Sequence, residues 1–298
     1  MKPYYFKSSQ GNVGDDINEW LWHALIPDVL DQNEEHLMIG VGTLLNHRIP
    51  KAQRYTVVSS GYGYGKKPAL DSRWEFIAVR GPVTAKAFDL PSNTVMLDGA
   101  YLLPDVKPIP FQPIKGKVAY IPHVDSAIEG QWERVCELAG VTFIDPRWPF
   151  DQFIAAVTQC EFVLTEAMHG AIISDAYRVP WVPVVAHPHI DQRKWSDWGG
   201  SLNLEISFNE INPTFAGCPN DTGLNALKNS IKRQALVKNL FKGRYTPAPK
   251  VRSSVAEVEQ VAAQLEKLKY TAAPNLSHDQ TLKEAQDRLR NAVLSLRA

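Results

Sequence analysis

Residues 161–185, Glu-Phe-Val-Leu-Thr-Glu-Ala-Met-His-Gly-Ala-Ile-Ile-Ser-Asp-Ala-Tyr-Arg-Val-Pro-Trp-Val-Pro-Val-Val, read as one strand–helix–strand unit. Phe162-Val163-Leu164 is short and wholly apolar, as a strand covered on both faces of a parallel sheet must be. Thr165 to Gly170 is a compact turn that opens a helical run ending near Tyr177. Arg178-Val179-Pro180 stops the helix, because the residue before a proline avoids helical geometry. Trp181 to Val185 is then the next strand. Parallel strands need such a crossover, so this stretch alone commits the chain to an α/β sheet. A histidine and a glycine stand where strand hands over to helix. Anions bind at that edge of an open α/β sheet, because free backbone N–H groups and the helix dipole point there.

The same alternation runs through two parts of the chain. Residues 1–108 hold short apolar strands at Tyr4–Phe6, Leu37–Ile39, Tyr55–Val58, Phe76–Val79 and Thr94–Leu97, alternating with expected helices. The proline-rich stretch 103–113 reads as a linker. Strands resume in a second unit, 115–245, at Lys117–Ile121, Val141–Ile144, Phe162–Leu164 and Val182–Val185, with helices expected at 129–138 and 150–158. Residues 254–298 carry two amphipathic helices, whose apolar stripes are expected to pack back over both units. The pattern predicts doubly wound parallel sheets.

Bulk properties narrow the class. Formal net charge is zero and charged residues make up 21%, so the chain as a whole has no nucleic-acid signature. Cys136, Cys160 and Cys218 form no CxxC pair, which argues against a zinc ribbon or a disulfide framework. The start lacks a signal-peptide core and no apolar run approaches a membrane span. A cytoplasmic protein is expected, with a peripheral position at the inner face of the cytoplasmic membrane as the second reading. That second reading rests on a local asymmetry. Between Asp221 and Glu257 lie Lys228, Lys232, Arg233, Lys238, Lys242, Arg244, Lys250 and Arg252 and no acid, interleaved with Leu224, Leu227 and Ile231. Such a face suits an anionic lipid surface or a diphosphate, or is a solvated helix face.

Four further constellations carry chemistry. Gly11-Asn12-Val13-Gly14-Asp15-Asp16 follows the first strand; its glycines let the backbone approach a ligand, and Asp15 or Asp16 either caps a helix or acts on a sugar hydroxyl. Arg80-Gly81-Pro82-Val83-Thr84 ends a strand and starts a helix, where an arginine can grip carboxylate or phosphate or close a structural ion pair. Asp98-Gly99-Ala100 supplies an acid after another strand, to orient Arg80 or a substrate hydroxyl. Ile121-Pro122-His123 puts a second histidine at a strand end of the sheet that holds His169. His187-Pro188-His189-Ile190-Asp191 looks loosely like a metal-ligand run, but a two-residue histidine spacing is weak, and no metal is expected.

In order and spacing, these five motifs resemble the polysaccharide pyruvyl transferases, over about residues 4–200. The resemblance implies two Rossmann-like domains facing across a cleft, as in the B-type glycosyltransferases, with the acceptor on the N-terminal side and the donor on the C-terminal side. It implies transfer of the enolpyruvyl group of phosphoenolpyruvate to two hydroxyls of a sugar on a lipid-linked repeat unit, as a cyclic ketal, without another cofactor. Arg80, Gly170, Ala171, Asp98, Gly11, Asn12, Gly14 and Asp15 would then bind substrate. His169 or His123 would be the general acid, and Asp16 or Glu166 the base. Many members carry an arginine where this chain has Ala167, so Arg193 or Lys194 is expected to supply that charge. A nucleotide-sugar-dependent glycosyltransferase and a non-catalytic carbohydrate-binding homologue are the alternative readings.

Overall fold

A computed structural model describes residues 1–217, 223–237 and 251–297. It builds two sheets of five parallel strands each. The first lines up β1 (Lys2–Tyr4), β2 (His36–Ile39), β3 (Arg54–Ser60), β4 (Trp74–Val79) and β5 (Val95–Met96) in chain order. The second contains β6 (Val118–Ile121), β7 (Thr142–Phe143), β8 (Phe162–Thr165), β9 (Trp181–Val185) and β10 (Asn209–Glu210), in the order β10-β9-β8-β6-β7. From β6 the chain steps out to β7, then returns to place β8 on the other side of β6. That reversal is a topological switch point, where open α/β sheets leave a crevice beyond the strand ends. The first sheet has no reversal, so only the second is doubly wound.

Helices connect these strands unevenly. Short α1 (Val13–Asp16) and α2 (Leu21–Leu25) link β1 to β2, and α3 (Pro82–Ala87) links β4 to β5. The connections 40–53 and 61–73 contain no helix, contrary to the strict alternation expected. Their glycines and prolines give no 3.6-residue apolar period for a helix to bury. The proline-rich stretch begins as α4 (Leu103–Val106) and continues without helix or strand. In the second half α5 (Val124–Glu129), α6 (Trp132–Ala139), α7 (Phe150–Val157), α8 (Met168–Ala176) and α9 (Gln192–Gly200) pack around the sheet. After them come α10 (Gly223–Val237), α11 (Val255–Thr271) and α12 (Asp279–Leu294). Among the described residues no helix is long and apolar enough to cross a membrane.

Strand alternation sorts the core into three layers. Met38 points to the same apolar cluster as Val58, Ala78 and Leu97, and that cluster also takes Ala119, Ile121 and Val163 from the second sheet. Leu37 and Ile39, one residue to either side, pack on the opposite face with Tyr55, Val57 and Val79, as the two-residue period requires. The third layer joins Tyr120, Leu164 and Val182 to Trp132 of α6 and to Val258, Val261 and Leu265 of α11. The C-terminal helices part company: α11 lies along α6, whereas α12 crosses β4 and β5 of the first sheet. A buried carboxylate joins three elements. Asp175 of α8 accepts from Tyr101 Oη (3.1 Å), Trp181 Nε1 (2.9 Å) and the Ser277 N–H (2.8 Å).

Candidate active site

The two strands beside the switch point, β6 and β8, end at His123 and at the turn leading to His169. The turn folds as it does because Thr165 Oγ1 accepts the Ala167 N–H (3.1 Å) while the Glu166 N–H donates to Ile121 O (2.9 Å). Helix α8 then starts at Met168 behind Ala167, which has no side chain able to cap it. The first-turn N–H groups of Met168, His169 and Gly170 therefore lack helical acceptors and carry the positive end of the dipole. Ala171 is one residue too deep, since its N–H donates to Ala167 O (3.1 Å). The unsatisfied N–H groups of this helix end thus begin at Met168, earlier than the Gly170 and Ala171 that the sequence indicates.

A cavity of about 290 Å³ opens in front of this helix end and is lined from both halves of the chain. Asn12, Asp15, Thr43, Arg48 and Tyr64 come from the first half, and His123, His169, His189 and Lys194 from the second. His169 is the point of closest convergence. Its Nε2 lies 3.6 Å from Asp98 Oδ2, a fully buried oxygen with no hydrogen-bond partner. The other oxygen, Oδ1, is held by the Ala100 N–H at 3.0 Å. Asp98 thus faces His169, not Arg80. On the opposite edge of the ring, a Cβ at Gly14 would fall inside the space of His169 Nδ1, so only glycine leaves that nitrogen room. Burial pushes the Asp15 carboxyl up to about 6, with Asp16 adding to the rise and His169 opposing it. Asn12 is the cap of α1, accepting the Gly14 N–H (3.2 Å) and donating to Asp15 Oδ2 (2.6 Å).

Several expected ligand contacts are engaged elsewhere. Arg80 is completely buried. Its guanidinium meets Asp197 of α9 at 2.9 Å and also donates to Thr43 Oγ1 (2.8 Å) and Tyr62 O (3.2 Å). Asp197 in turn accepts the Thr84 N–H (2.8 Å) and the Thr84 hydroxyl (2.6 Å). It caps α3 from across the molecule, because Gly81 at the cap position has no side chain to do so. A Cβ on Gly81 would strike the Asp197 backbone carbonyl. The Arg80-Gly81-Pro82-Val83-Thr84 motif is therefore a joint between the halves, not a ligand grip. Glu166 is also fully buried. It accepts backbone N–H groups from His123 (3.2 Å), Ala186 (3.0 Å) and His187 (2.9 Å), so it ties three strand ends together at the cavity wall. Asp16 folds back on the Asn12 N–H (2.9 Å), and Gly11 abuts the Arg147 carbonyl. Arg193 is exposed and paired with Asp191 (2.9 Å). Lys194, by contrast, reaches the cavity, hydrogen-bonded to Tyr64 Oη with its ammonium 4.6 Å from the ring centre.

Arg48 and Tyr64 escape sequence reasoning altogether. They sit in the two helix-free connections of the first sheet, where no motif marks them. His123 and His189 at the cavity wall form a cluster with the buried His187: the His123 and His189 ring centres are 5.1 Å apart, and His187 lies 5.3 Å from His189. Burial holds all three below the ordinary imidazole value, His187 down to about 3, and His123 is lowered further by His189 and Lys194. His123, Asp125 and His189 each bring a ligand atom within 4.8 Å of the others. As arranged, the cluster is a set of neutral imidazole donors and acceptors.

The polysaccharide pyruvyl transferase family model matches residues 37–188, which include Arg80, Asp98, His123, Glu166 and His169. Succinoglycan biosynthesis protein ExoV of Rhizobium meliloti is 40% identical over 209 residues, covering 68% of this chain. The aligned part is 66% of that relative's own length, just under two thirds. No solved structure matches the chain. Since the family match covers just over half of the chain, from β2 to β9 and including the whole β8–α8 turn, the chain belongs to the polysaccharide pyruvyl transferase family.

Proposed function

We propose that this protein acts in exopolysaccharide biosynthesis, moving a pyruvyl group from phosphoenolpyruvate onto two hydroxyls of one sugar in a lipid-linked repeat unit. The product is a cyclic ketal plus inorganic phosphate. The observation that carries this reading is His169 facing the unpartnered Asp98 oxygen at 3.6 Å, beside an uncapped helix end, in a chain of this family.

The donor is small and highly anionic, so a site for it needs fixed N–H donors and cations. The N–H groups of Met168, His169 and Gly170 suit the phosphate, and Lys194 and Arg48 stand at the same cavity. A protonated His169 keeps Nε2–H toward Asp98, whose charge stabilises the imidazolium, and delivers the Nδ1 proton to the donor's methylene carbon. The methylene becomes a methyl group and the adjacent carbon gains oxocarbenium character. A sugar hydroxyl adds there, and its proton passes to Asp15, whose raised value still leaves it largely ionised at pH 7. The carbon–oxygen bond to phosphate breaks. A second hydroxyl of the same sugar closes the ring and gives its proton to the departing phosphate. Separations of 3.6 Å are common before substrate tightens such contacts.

The test is direct. Purified protein is incubated with phosphoenolpyruvate and an unpyruvylated lipid-linked oligosaccharide, and the glycolipid is analysed by mass spectrometry. A gain of one ketal-linked pyruvate, with one phosphate released per product, is the expected result. An unchanged glycolipid, or a product that forms only when a nucleotide sugar is supplied, would overturn the assignment.

A further inference from the structure

Helix α10 presents an apolar stripe that the described residues leave uncovered. Leu224 is 77% exposed, Leu227 59% and Ile231 61%. At about 100° per residue these positions fall on one side of the helix. Lys228 and Lys232 each follow the last two by one position, so they flank the stripe along one edge. Three large aliphatic side chains in water at i, i+3 and i+7 cost stability unless something covers them.

The charge along this stretch of sequence, with Lys228 and Lys232 on α10 itself, says what that cover is. From Lys228 to Arg252 the chain carries eight lysines and arginines, and no acid stands between Asp221 and Glu257. A second copy of the same face would bring like charge against like charge. A free diphosphate would satisfy the cations and leave the aliphatic stripe wet. An anionic bilayer accepts both, taking leucine and isoleucine into the acyl boundary while lysines reach back to the headgroups. We infer that α10 is an in-plane membrane anchor, seating the protein on an anionic lipid surface by its Leu224–Leu227–Ile231 face. The inference does not depend on the pyruvyl-transfer reading, because lipid binding and turnover are measured separately.

The full-length chain is centrifuged with sucrose-loaded vesicles of phosphatidylcholine alone or with phosphatidylglycerol. Two variants accompany it, Leu224→Ser/Leu227→Ser/Ile231→Ser and Lys228→Glu/Lys232→Glu. All these positions are surface sites, so thermal melts of the variants are expected to match the parent. The parent should bind anionic vesicles at least tenfold more tightly than neutral ones and release at high salt. The lysine variant should bind about fivefold more weakly per cation lost, and the aliphatic variant should lose binding. Three results would each overturn the inference: no binding of the parent to anionic vesicles, equal binding by the aliphatic variant, or a concentration-dependent dimer that the aliphatic substitutions abolish.

Discussion

At the scale of single residues, the chemistry turns on what surrounds one imidazole. His169 is held between a buried carboxylate and a position where no side chain is tolerated. The Gly14→Ala variant should therefore displace the ring and, because the new Cβ also meets His169 Cβ, press on the start of α8. Its kcat for phosphate release should fall by about 10²-fold or more, the range lost when a general acid is misplaced, and its melting temperature should fall as well. Equal kcat values would show that the ring has other room. Sequence reading finds His169, Asp98 and Asp15 as members of separate motifs. It does not pair Asp98 with His169, because the contact depends on how one sheet's strand ends meet the other's. The same blindness hides the protein partners of Arg80 and Glu166. An arginine at a strand's carboxyl end looks alike whether its partner is a ligand or a carboxylate 117 positions away.

At the scale of elements, the joint between α3 and α9 is the feature most exposed to test. Arg80 and Asp197 are both buried and hydrogen-bonded to several groups. Removing one partner leaves an uncompensated charge, which typically costs about 3–5 kcal/mol. Arg80→Ala should lower the unfolding free energy by that amount, measured by urea denaturation. Arg80→Met combined with Asp197→Leu should recover the part owed to the lone charge and no more, since it leaves the Thr84 N–H and hydroxyl without their acceptor. A double variant as stable as the parent would show that the cap on α3 contributes nothing. Most strand positions were legible, because buried parallel strands are written as short apolar runs. Strand β10, two residues long with Asn209 and Glu210, carries no such run. Sheet order was not legible either; it follows from which side each crossover takes, and both sides have the same local sequence pattern.

At the scale of the whole molecule, the buried histidines set how stability responds to pH. His187 is held down to about 3, and His123 and His189 are also lowered, against an ordinary value of 6.5. As pH falls below about 6.5 the unfolded chain takes up these protons first, so stability present above that pH drains away, at about 1.4 kcal/mol per pH unit for each group. Asp15 acts the other way. Its value is raised to about 6 from 3.8, so the native state keeps a proton that the unfolded chain has lost between about pH 4 and 6. Three groups outweigh one. The urea midpoint should be lower at pH 5 than at pH 7.5; an equal or higher midpoint would mean that the histidine cluster is solvated.

The central claim is that His169, set at the switch point of the second sheet and backed by Asp98, moves the proton that activates phosphoenolpyruvate. The measurement that tests it most directly is the rate of phosphate release from phosphoenolpyruvate with saturating acceptor, compared between the parent and His169→Ala. A loss of about 10²–10⁴-fold in kcat, with the fold intact by circular dichroism, is the predicted result. Release within a few-fold of the parent rate would contradict it.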